Sequence, residues 1–427
     1  MDQQTPDTPA AVTADPRPAR LAGVDVARAL ALFGMFTAHL GVGAIGVFGL
    51  FGDDAAEAFY QLTRGRSSAL FAFLAGVALA LTTGRSVPLT GTPLQRARVR
   101  ILVRALVLAL LGGVLDALDA PIAIILTYYG GFFLLALPLL RLRAPALMAT
   151  AAAVGLLGPQ VSFVIRSAMG ESAPFRPTSI GGFGDFFLTG YYPALTFMAF
   201  VLAGLAVGRL DLRSGRVRAR LAGAGALLAA AGYGGSWLLL NTFGVLDLLL
   251  LSQPQVVPAG TDPGALDPAL RESLRQWMAE QVNDLHGQVP VDSPWWLAVA
   301  SPHSGTTLEI AGATGCALLA LVACLVLADA TGWLLAPLAA AGSMSLTVYC
   351  GHIVVIAVLG MSFTDIAPFR LEAFVLGAVV FASLWRPVFG RGPLEWALGA
   401  VSGLAASAVP DLPEDGRDGP PRNLTHF

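Results

Sequence analysis

The chain has 427 residues, of which 55% are hydrophobic and only 13% are charged, and its mean hydropathy is +0.69. Soluble domains carry about twice this density of charge, so a soluble multidomain enzyme is excluded and a membrane protein is predicted. The formal net charge of −2 provides no basic surface, and nucleic acid is not expected as a partner.

The reactive residue types narrow the chemistry further. All 26 basic residues are arginine, which excludes a Walker A loop, a pyridoxal Schiff base and a Ser–Lys dyad. The three cysteines lie in apolar stretches without the CxxC spacing of metal or redox sites. They are interpreted as buried thiols, and no metal is expected.

Taken in chain order, the hydropathy pattern begins with a polar tail at 1–20 and continues with apolar runs long enough to cross a membrane. These runs predict an all-α, polytopic membrane helical bundle with ten or eleven transmembrane helices, of which 68–83 and 393–409 are short. The runs cover 22–42, 68–83, 101–118, 121–140, 145–165, 191–208, 221–251, 307–328, 334–360, 369–386 and 393–409.

The predicted organisation has two transmembrane regions, at 21–251 and 307–409, separated by a polar loop at 252–306. This loop is acidic, contains an amphipathic stretch at 268–285, and is predicted to be an extracytoplasmic cap. A polar tail is predicted at 410–427. Arginines concentrate on one side of the spans, which predicts a multi-pass protein of the cell membrane with a cytoplasmic N-terminus.

The first predicted span carries three ionisable residues, Asp25, Arg28 and His39. Charged side chains within a span are costly and therefore point to function. Arg28 and His39 are eleven positions apart, which leaves them about 20° apart around a helix axis, and roughly 16 Å separates them along it. His39 is a candidate general base, or a histidine satisfied by a hydrogen bond to a backbone carbonyl. Asp25 and Arg28 are either part of that site or an ion pair at the membrane edge.

The next span begins with Arg64, Arg66 and Ser67, on the same predicted outer side as His39. Two guanidinium groups at a helix N-terminus are suited to bind an anion or a carbonyl oxygen. Ser67 is alternatively a helix cap. We interpret these three residues as candidate substrate-binding groups.

Two more histidines approach from the same side, His303 before the span at 307–328 and His352 within the span at 334–360. Glu309 accompanies them, and all three are candidate substrate-binding residues. Together with His39 they predict a polar cavity beneath the cap, although His352 can also serve as a hydrogen-bonding residue between helices. His286 is interpreted as an ordinary loop residue.

An arginine cluster lies at the predicted cytoplasmic start of the span at 101–118. Such a cluster is either a topology signal or a site for the phosphates of a cofactor such as coenzyme A. Its members are Arg96, Arg98, Arg100 and Arg104.

Several of these segments resemble membrane acyltransferases. Arg28, ten residues and then His39 resemble the Arg/Lys-x10-His motif of that superfamily. RLAGVDVARALALFGMFTAH and SALFAFLAGVALAL are similar to bacterial relatives of heparan-alpha-glucosaminide N-acetyltransferase. SMSLTVYCGH and RGPLEWALG resemble the C-terminal half of a related uncharacterised bacterial membrane family. The histidine-containing loop of the eukaryotic enzyme has no match in 41–63, so amino-sugar acetylation does not carry over.

The resemblance implies transfer of an acyl group, with acetyl favoured, from cytoplasmic acyl-CoA to a hydroxyl or amine. His39 would be the base or the transient acyl carrier, with Arg28 and Asp25 beside it. The expected partners are the lipid bilayer, acyl-CoA and an envelope glycan or lipid acceptor, and formation of a homo-oligomer is left open. The alternatives are a proton-coupled transporter or exporter and a non-catalytic membrane scaffold.

Overall fold

The computed structural model describes residues 21–42, 47, 52–170, 182–258, 260, 267–361 and 367–410. Every regular element within these ranges is a helix, which confirms the all-α fold. The predicted tails at 1–20 and 410–427 lie outside the described residues, apart from Pro410. The helices are α1 (Ala22–Leu40), α2 (Asp53–Thr63), α3 (Arg66–Thr82), α4 (Gly91–Asp116), α5 (Ile125–Ala136), α6 (Ala144–Met169), α7 (Ala194–Gly208), α8 (Gly215–Ala229), α9 (Gly235–Asn241), α10 (Val245–Leu251), α11 (Pro268–Asn283), α12 (Thr307–Ala330), α13 (Ala336–Ser343), α14 (Ser345–Val358), α15 (Arg370–Phe389) and α16 (Pro393–Ser407).

Among the described residues, six helical segments are long and apolar enough to cross a membrane. A seventh candidate is the pair α13 and α14, which is bent by 78°. The chain is therefore a membrane protein, but it has fewer such segments than the ten or eleven predicted. The six segments are Ala22–Leu40, Asp54–Thr82, Ala144–Met169, Gly215–Asn241, Thr307–Ala330 and Arg370–Phe389.

The lower count has a physical cause in helix length and charge. α7 and α16 have 15 residues each, and such a helix is only about 22 Å long, against about 30 Å of hydrocarbon. α4 is long enough, with 26 residues, but it carries four arginines, three of them in its N-terminal half. Every predicted apolar run contains a helix, but the runs at 221–251 and 334–360 each contain more than one, and the sequence pattern did not show where each helix ends.

The centre of the bundle depends on close contact between helix backbones. α3 and α7 approach so closely that a Cβ added at Gly204 would overlap the carbonyl oxygen of Phe73, and one added at Gly76 would overlap that of Val201. Association of helices in lipid relies on such packing of small residues, because lipid tails are as apolar as leucine. α3 is thereby fixed against the rest of the bundle.

We expect Gly204→Ala to destabilise the protein by about 1–3 kcal/mol, since the added methyl group overpacks a backbone contact. Gly377→Ala is the matched control, because Gly377 is also helical and a Cβ there meets no atom within 4 Å. Thermal unfolding in detergent should show a lower midpoint for the first variant only. Equal midpoints would contradict this account of the α3–α7 contact.

The cap has a small core of its own. α10, α11 and the 3₁₀ turn Pro294–Ala298 pack together around Leu249, Met278 and Trp296. Asp247 on α10 accepts hydrogen bonds from Arg275 at 2.7 Å and Arg271 at 3.3 Å, both on α11. The structure thus packs α10 with the cap, although its apolar sequence predicted the end of the span at 221–251.

Two hydrogen bonds order the cap loop, and the first of them joins it to the bundle. The buried Arg166 at the end of α6 donates to the carbonyl oxygen of Val289 at 2.6 Å. The Gly287 N–H donates to the carbonyl oxygen of His303 at 2.7 Å. These bonds fix the loop that precedes α12.

The break between α13 and α14 is capped by a carboxylate from α16. Glu395 accepts hydrogen bonds from the backbone N–H groups of Leu346 at 2.7 Å and Thr347 at 3.1 Å. These donors belong to the first turn of α14 and have no partner within the helix, so a negative charge stabilises them. α14 therefore begins at a fixed point inside the bundle.

Candidate functional site

His39 lies in the last turn of α1 and is hydrogen-bonded to a second histidine. Its Nδ1 is 2.9 Å from Nε2 of His352 on α14, and the two rings are parallel with centroids 5.2 Å apart. His352 is buried and packs against the rings of Phe36 and Tyr349. One nitrogen of the pair donates and the other accepts, so the contact fixes the orientation of the His39 ring and leaves its Nε2 for a substrate.

His39 lines a cavity of about 780 Å³ between the bundle and the cap. This volume is within the usual range for small-molecule sites, about 300–1,000 Å³. The structure brings four of the predicted site residues to this cavity, His39, Arg64, Ser67 and His303. The other polar residues in its wall are Glu57, Tyr60, Thr63, Ser68, Tyr191, Tyr192, Asp284 and His286.

The cap side of the cavity carries a charged pair. Arg64 donates to Asp284 at 3.4 Å, and Nε2 of His286 is 3.8 Å from the same carboxylate oxygen. Burial lowers the pKa of His286, although Asp284 opposes this effect. Arg64 is the more buried partner of the pair. Its guanidinium therefore provides a positive charge at a defined position in the cavity wall.

His303 is held in a strained turn beneath the cap. Its φ is 58°, a left-handed conformation that is uncommon outside glycine. Its ring meets that of Tyr191 edge to face at 4.6 Å. Burial, and then the charges of Arg64 and His286, lower the pKa of His303 to about 3, so the ring is neutral at physiological pH.

Glu309 lies behind this turn and does not line the cavity. It is buried, and it accepts a hydrogen bond from the Gly305 N–H at 2.9 Å. Thr306 caps the same end of α12 by accepting from the Glu309 N–H. Glu309 therefore positions the His303 turn, rather than contacting a molecule in the cavity.

Arg66 points away from Arg64, although only Gly65 separates them. Gly65 has a φ of 70° and interrupts the helix between α2 and α3. Because of this break, the side chains of Arg64 and Arg66 point in different directions. The Arg66 guanidinium donates to the carbonyl oxygen of Gln61 at 2.6 Å and lies 4.4 Å from the centre of the Tyr233 ring. The predicted Arg64/Arg66 pair is thus divided, and only Arg64 lines the cavity.

Asp25 and Arg28 lie at the opposite end of α1 and outside the cavity lining. Nη1 of Arg28 is 3.0 Å from Oδ1 of Asp25, and the carboxylate is almost fully buried. The structure therefore contains the ion pair that was one of the two sequence interpretations. It does not bring either residue into contact with His39.

The arginine cluster of α4 is also remote from His39 and contributes nothing to the cavity wall. Arg104 donates to Ser402 on α16 at 3.4 Å, and Arg96 donates to the carbonyl oxygen of Val409, also at 3.4 Å. Arg98 is half-buried and Arg100 is exposed. The cluster is partly tied to α16 and partly open for a ligand.

Sequence reasoning missed several residues of the cavity wall, notably His286, Asp284, Tyr191 and Tyr192. Asp284 and His286 follow α11 in the cap, where a loop histidine gives no periodic signal. The Tyr191 N–H donates to the hydroxyl of Tyr128 at 3.1 Å. Burial raises the pKa of Tyr191 to about 12, so its phenol remains a hydrogen-bond donor.

Comparison with known families identifies two matched regions in the chain. The family model described as heparan-alpha-glucosaminide N-acetyltransferase, catalytic, matches residues 20–240, which is more than half of the chain. The chain belongs to this family. Residues 285–402 match a second family, described as a protein of unknown function (DUF418), and the predicted resemblance is confirmed in both halves. No curated protein matches the chain.

The cavity lies where the two matched regions of this acetyltransferase-family chain meet. His39 and Arg64 belong to the first region, whereas His303 and His352 belong to the second. The hydrogen bond between His39 and His352 crosses this boundary. Neither region contains the complete site.

The neutral, buried state of His303 predicts a dependence of stability on pH. Its folded pKa of about 3 lies below the ordinary value of 6.5, so the unfolded chain binds an additional proton between these values. The corresponding stability is present above about pH 6.5 and is lost as the pH falls toward 3. We expect the melting temperature of the parent to fall more than that of His303→Gln between pH 7 and pH 5. Parallel curves would contradict the buried, neutral assignment.

Proposed function

We propose that the protein transfers an acyl group, most simply acetyl, from cytoplasmic acyl-CoA to a hydroxyl or amine on an envelope glycan or lipid. Membership of the acetyltransferase family supports the reaction class. The observation that carries the proposal is the His39–His352 contact at the wall of a cavity with polar lining.

The proposed chemistry follows from the orientation of the His39 ring. If Nε2 of His352 accepts from Nδ1–H of His39, then Nε2 of His39 has a free lone pair. That nitrogen takes the proton as the acceptor oxygen or nitrogen attacks the thioester carbonyl. The carbon–sulfur bond breaks, and the departing thiolate of coenzyme A receives a proton from the imidazolium. Transient acylation of His39 is the other route that the same geometry allows.

Arg64, Ser67 and His303 are proposed to bind the acceptor or the carbonyl oxygen. All three line the cavity with His39. Arg64 is a cation of low exposure, and a guanidinium in such a place stabilises negative charge that develops on oxygen. Glu309 and His352 are proposed to act indirectly, by positioning His303 and His39.

The donor is proposed to bind at the arginine cluster of α4 and to extend its acyl end toward His39. The cytoplasmic orientation of the N-terminus and a location in the cell membrane are part of this proposal, and the arginine asymmetry of the sequence supports them. Arg28 and Asp25, at the other end of α1, would flank the path of the donor.

His39→Ala is expected to lower acetyl transfer by about 10²–10⁴-fold, the usual contribution of a general base. The assay uses full-length protein in liposomes, radiolabelled acetyl-CoA and an envelope glycolipid extract as the acceptor. His352→Ala is expected to be milder, since it frees the His39 ring without removing it. Acetyl-CoA binding and melting temperature should stay near the parent values in His39→Ala, whereas His352→Ala should lower the melting temperature, because it removes a buried ring.

If His39→Ala keeps more than about a tenth of the parent rate, His39 is not the general base of the reaction. Proton flux across the liposome without any acetyl transfer by the parent would instead favour the transporter alternative. These two results are distinguishable, because the first requires an active parent.

The triple variant of Arg96, Arg98 and Arg100 to Gln is expected to weaken acetyl-CoA binding by about tenfold or more, because arginine bonds to phosphate are charge-assisted. The matched control replaces Arg141, Arg216 and Arg220, three exposed arginines, with Gln. Equilibrium binding of acetyl-CoA in detergent measures the difference. If the two triple variants bind acetyl-CoA with equal affinity, the α4 cluster does not bind the donor and serves only as a topology signal.

A further inference from the structure

A second cavity, of about 660 Å³, opens beside the first between α1, α2, α12 and α15. We call it the apolar groove. It is lined by side chains such as Phe33, Phe59 and Val375, and its edges carry the exposed side chains of Leu30, Leu62 and Leu376. Leucines that are more than half exposed on membrane-spanning segments face hydrocarbon, so the apolar groove opens toward the bilayer.

The apolar groove and the His39 cavity share a thin wall. Gly34, Thr63 and Ser67 line both spaces. Gly34 packs directly against Ser67, and a Cβ at position 34 would overlap the serine hydroxyl. Thr37 is hydrogen-bonded to Thr63 at 2.6 Å, and Ser67 donates to the carbonyl oxygen of Thr63 at 2.8 Å. Only small side chains therefore separate hydrocarbon from the polar cavity.

The apolar groove extends to the level of His39. Arg370, at the start of α15, donates through Nε to the carbonyl oxygen of Leu40 at 2.9 Å. Leu371 and Glu372, the next two residues, line the apolar groove. One end of the groove is thus fixed beside the end of α1 that holds His39.

We propose that the acetyl acceptor is a membrane lipid whose hydrocarbon chain lies in the apolar groove while its polar head enters the His39 cavity. This inference rests on the acetyltransferase function proposed above. An amphiphile fits two adjoining spaces of opposite polarity, one open to lipid and one lined by Arg64, Ser67 and His303. Because lipid tails and leucine are equally apolar, the chain gains little affinity from leaving the bilayer, and its role is to orient the head group.

The acceptor is a better occupant than the acyl chain of the donor. The arginines proposed to bind the donor are on α4, which contributes no residue to the apolar groove. The family description names an acetyl group, which has too few carbons to fill a groove of about 660 Å³. The groove therefore lacks a role in acetyl transfer unless the acceptor brings a chain.

The kinetic test uses two acceptors with the same hydroxyl-bearing head, methyl and dodecyl glucoside, and the full-length protein in nanodiscs with acetyl-CoA. The parent is expected to prefer the dodecyl acceptor in kcat/KM by about tenfold or more. Val379→Trp, which fills the apolar groove, should remove this preference and leave the methyl acceptor unaffected. Val380→Trp is the matched control, since Val380 is the next residue of α15, is 46% exposed and does not line the groove.

A binding test separates failure of this inference from failure of the proposed function. A dodecyl glucoside with a diazirine in its chain should label residues of α1, α12 and α15 that line the apolar groove, and Val379→Trp should abolish that labelling. Groove labelling without acetyl transfer to any acceptor would support the lipid site and overturn the transferase function. Equal use of both acceptors, with labelling elsewhere, would keep the transferase function and overturn the lipid inference. The absence of both transfer and labelling would overturn both.

Discussion

The hydrogen bond between His39 and His352 is the contact on which the proposed site depends. It joins the last turn of α1 to α14, and it crosses the boundary between the regions that match two families. A histidine on one helix alone rotates about χ1 and χ2, whereas a stacked and bonded pair has one orientation. The other features of the site, including the wall at Gly34 and the turn at His303, are arranged around the space that this ring faces.

Much of the fold was predictable because membrane helices have a strong compositional signal. Each apolar run contains at least one helix, and the presence of His39 and Arg64 in one cavity wall followed from counting residues along two successive predicted spans. Hydropathy alone could not distinguish lipid from a protein core, so α10 was assigned to a span although it packs with Met278 in the cap. It also could not show that α7 and α16 stop after 15 residues.

The site was predictable only where local geometry decides it. The pairing of His39 with His352 spans 313 positions, and helix periodicity carries no information across that distance. Arg64 and Arg66 were predicted to form one site because they are close in sequence. The positive φ of Gly65 instead places Arg64 in the cavity wall and Arg66 over the ring of Tyr233. His286 was overlooked because its role follows from how the cap docks, which is a tertiary property.

Through the carboxylate of Glu395, α16 helps to position α14, which carries His352. α16 has 15 residues and is too short to anchor the chain in a bilayer, yet Glu395 holds the first turn of α14. His352 follows that turn by about two helical turns, roughly 10 Å along the axis. The position of the histidine pair within the bundle is therefore fixed in part by a helix that comes after both histidines in the chain. The first helix therefore acquires its histidine partner only after more than 300 further residues have been synthesised.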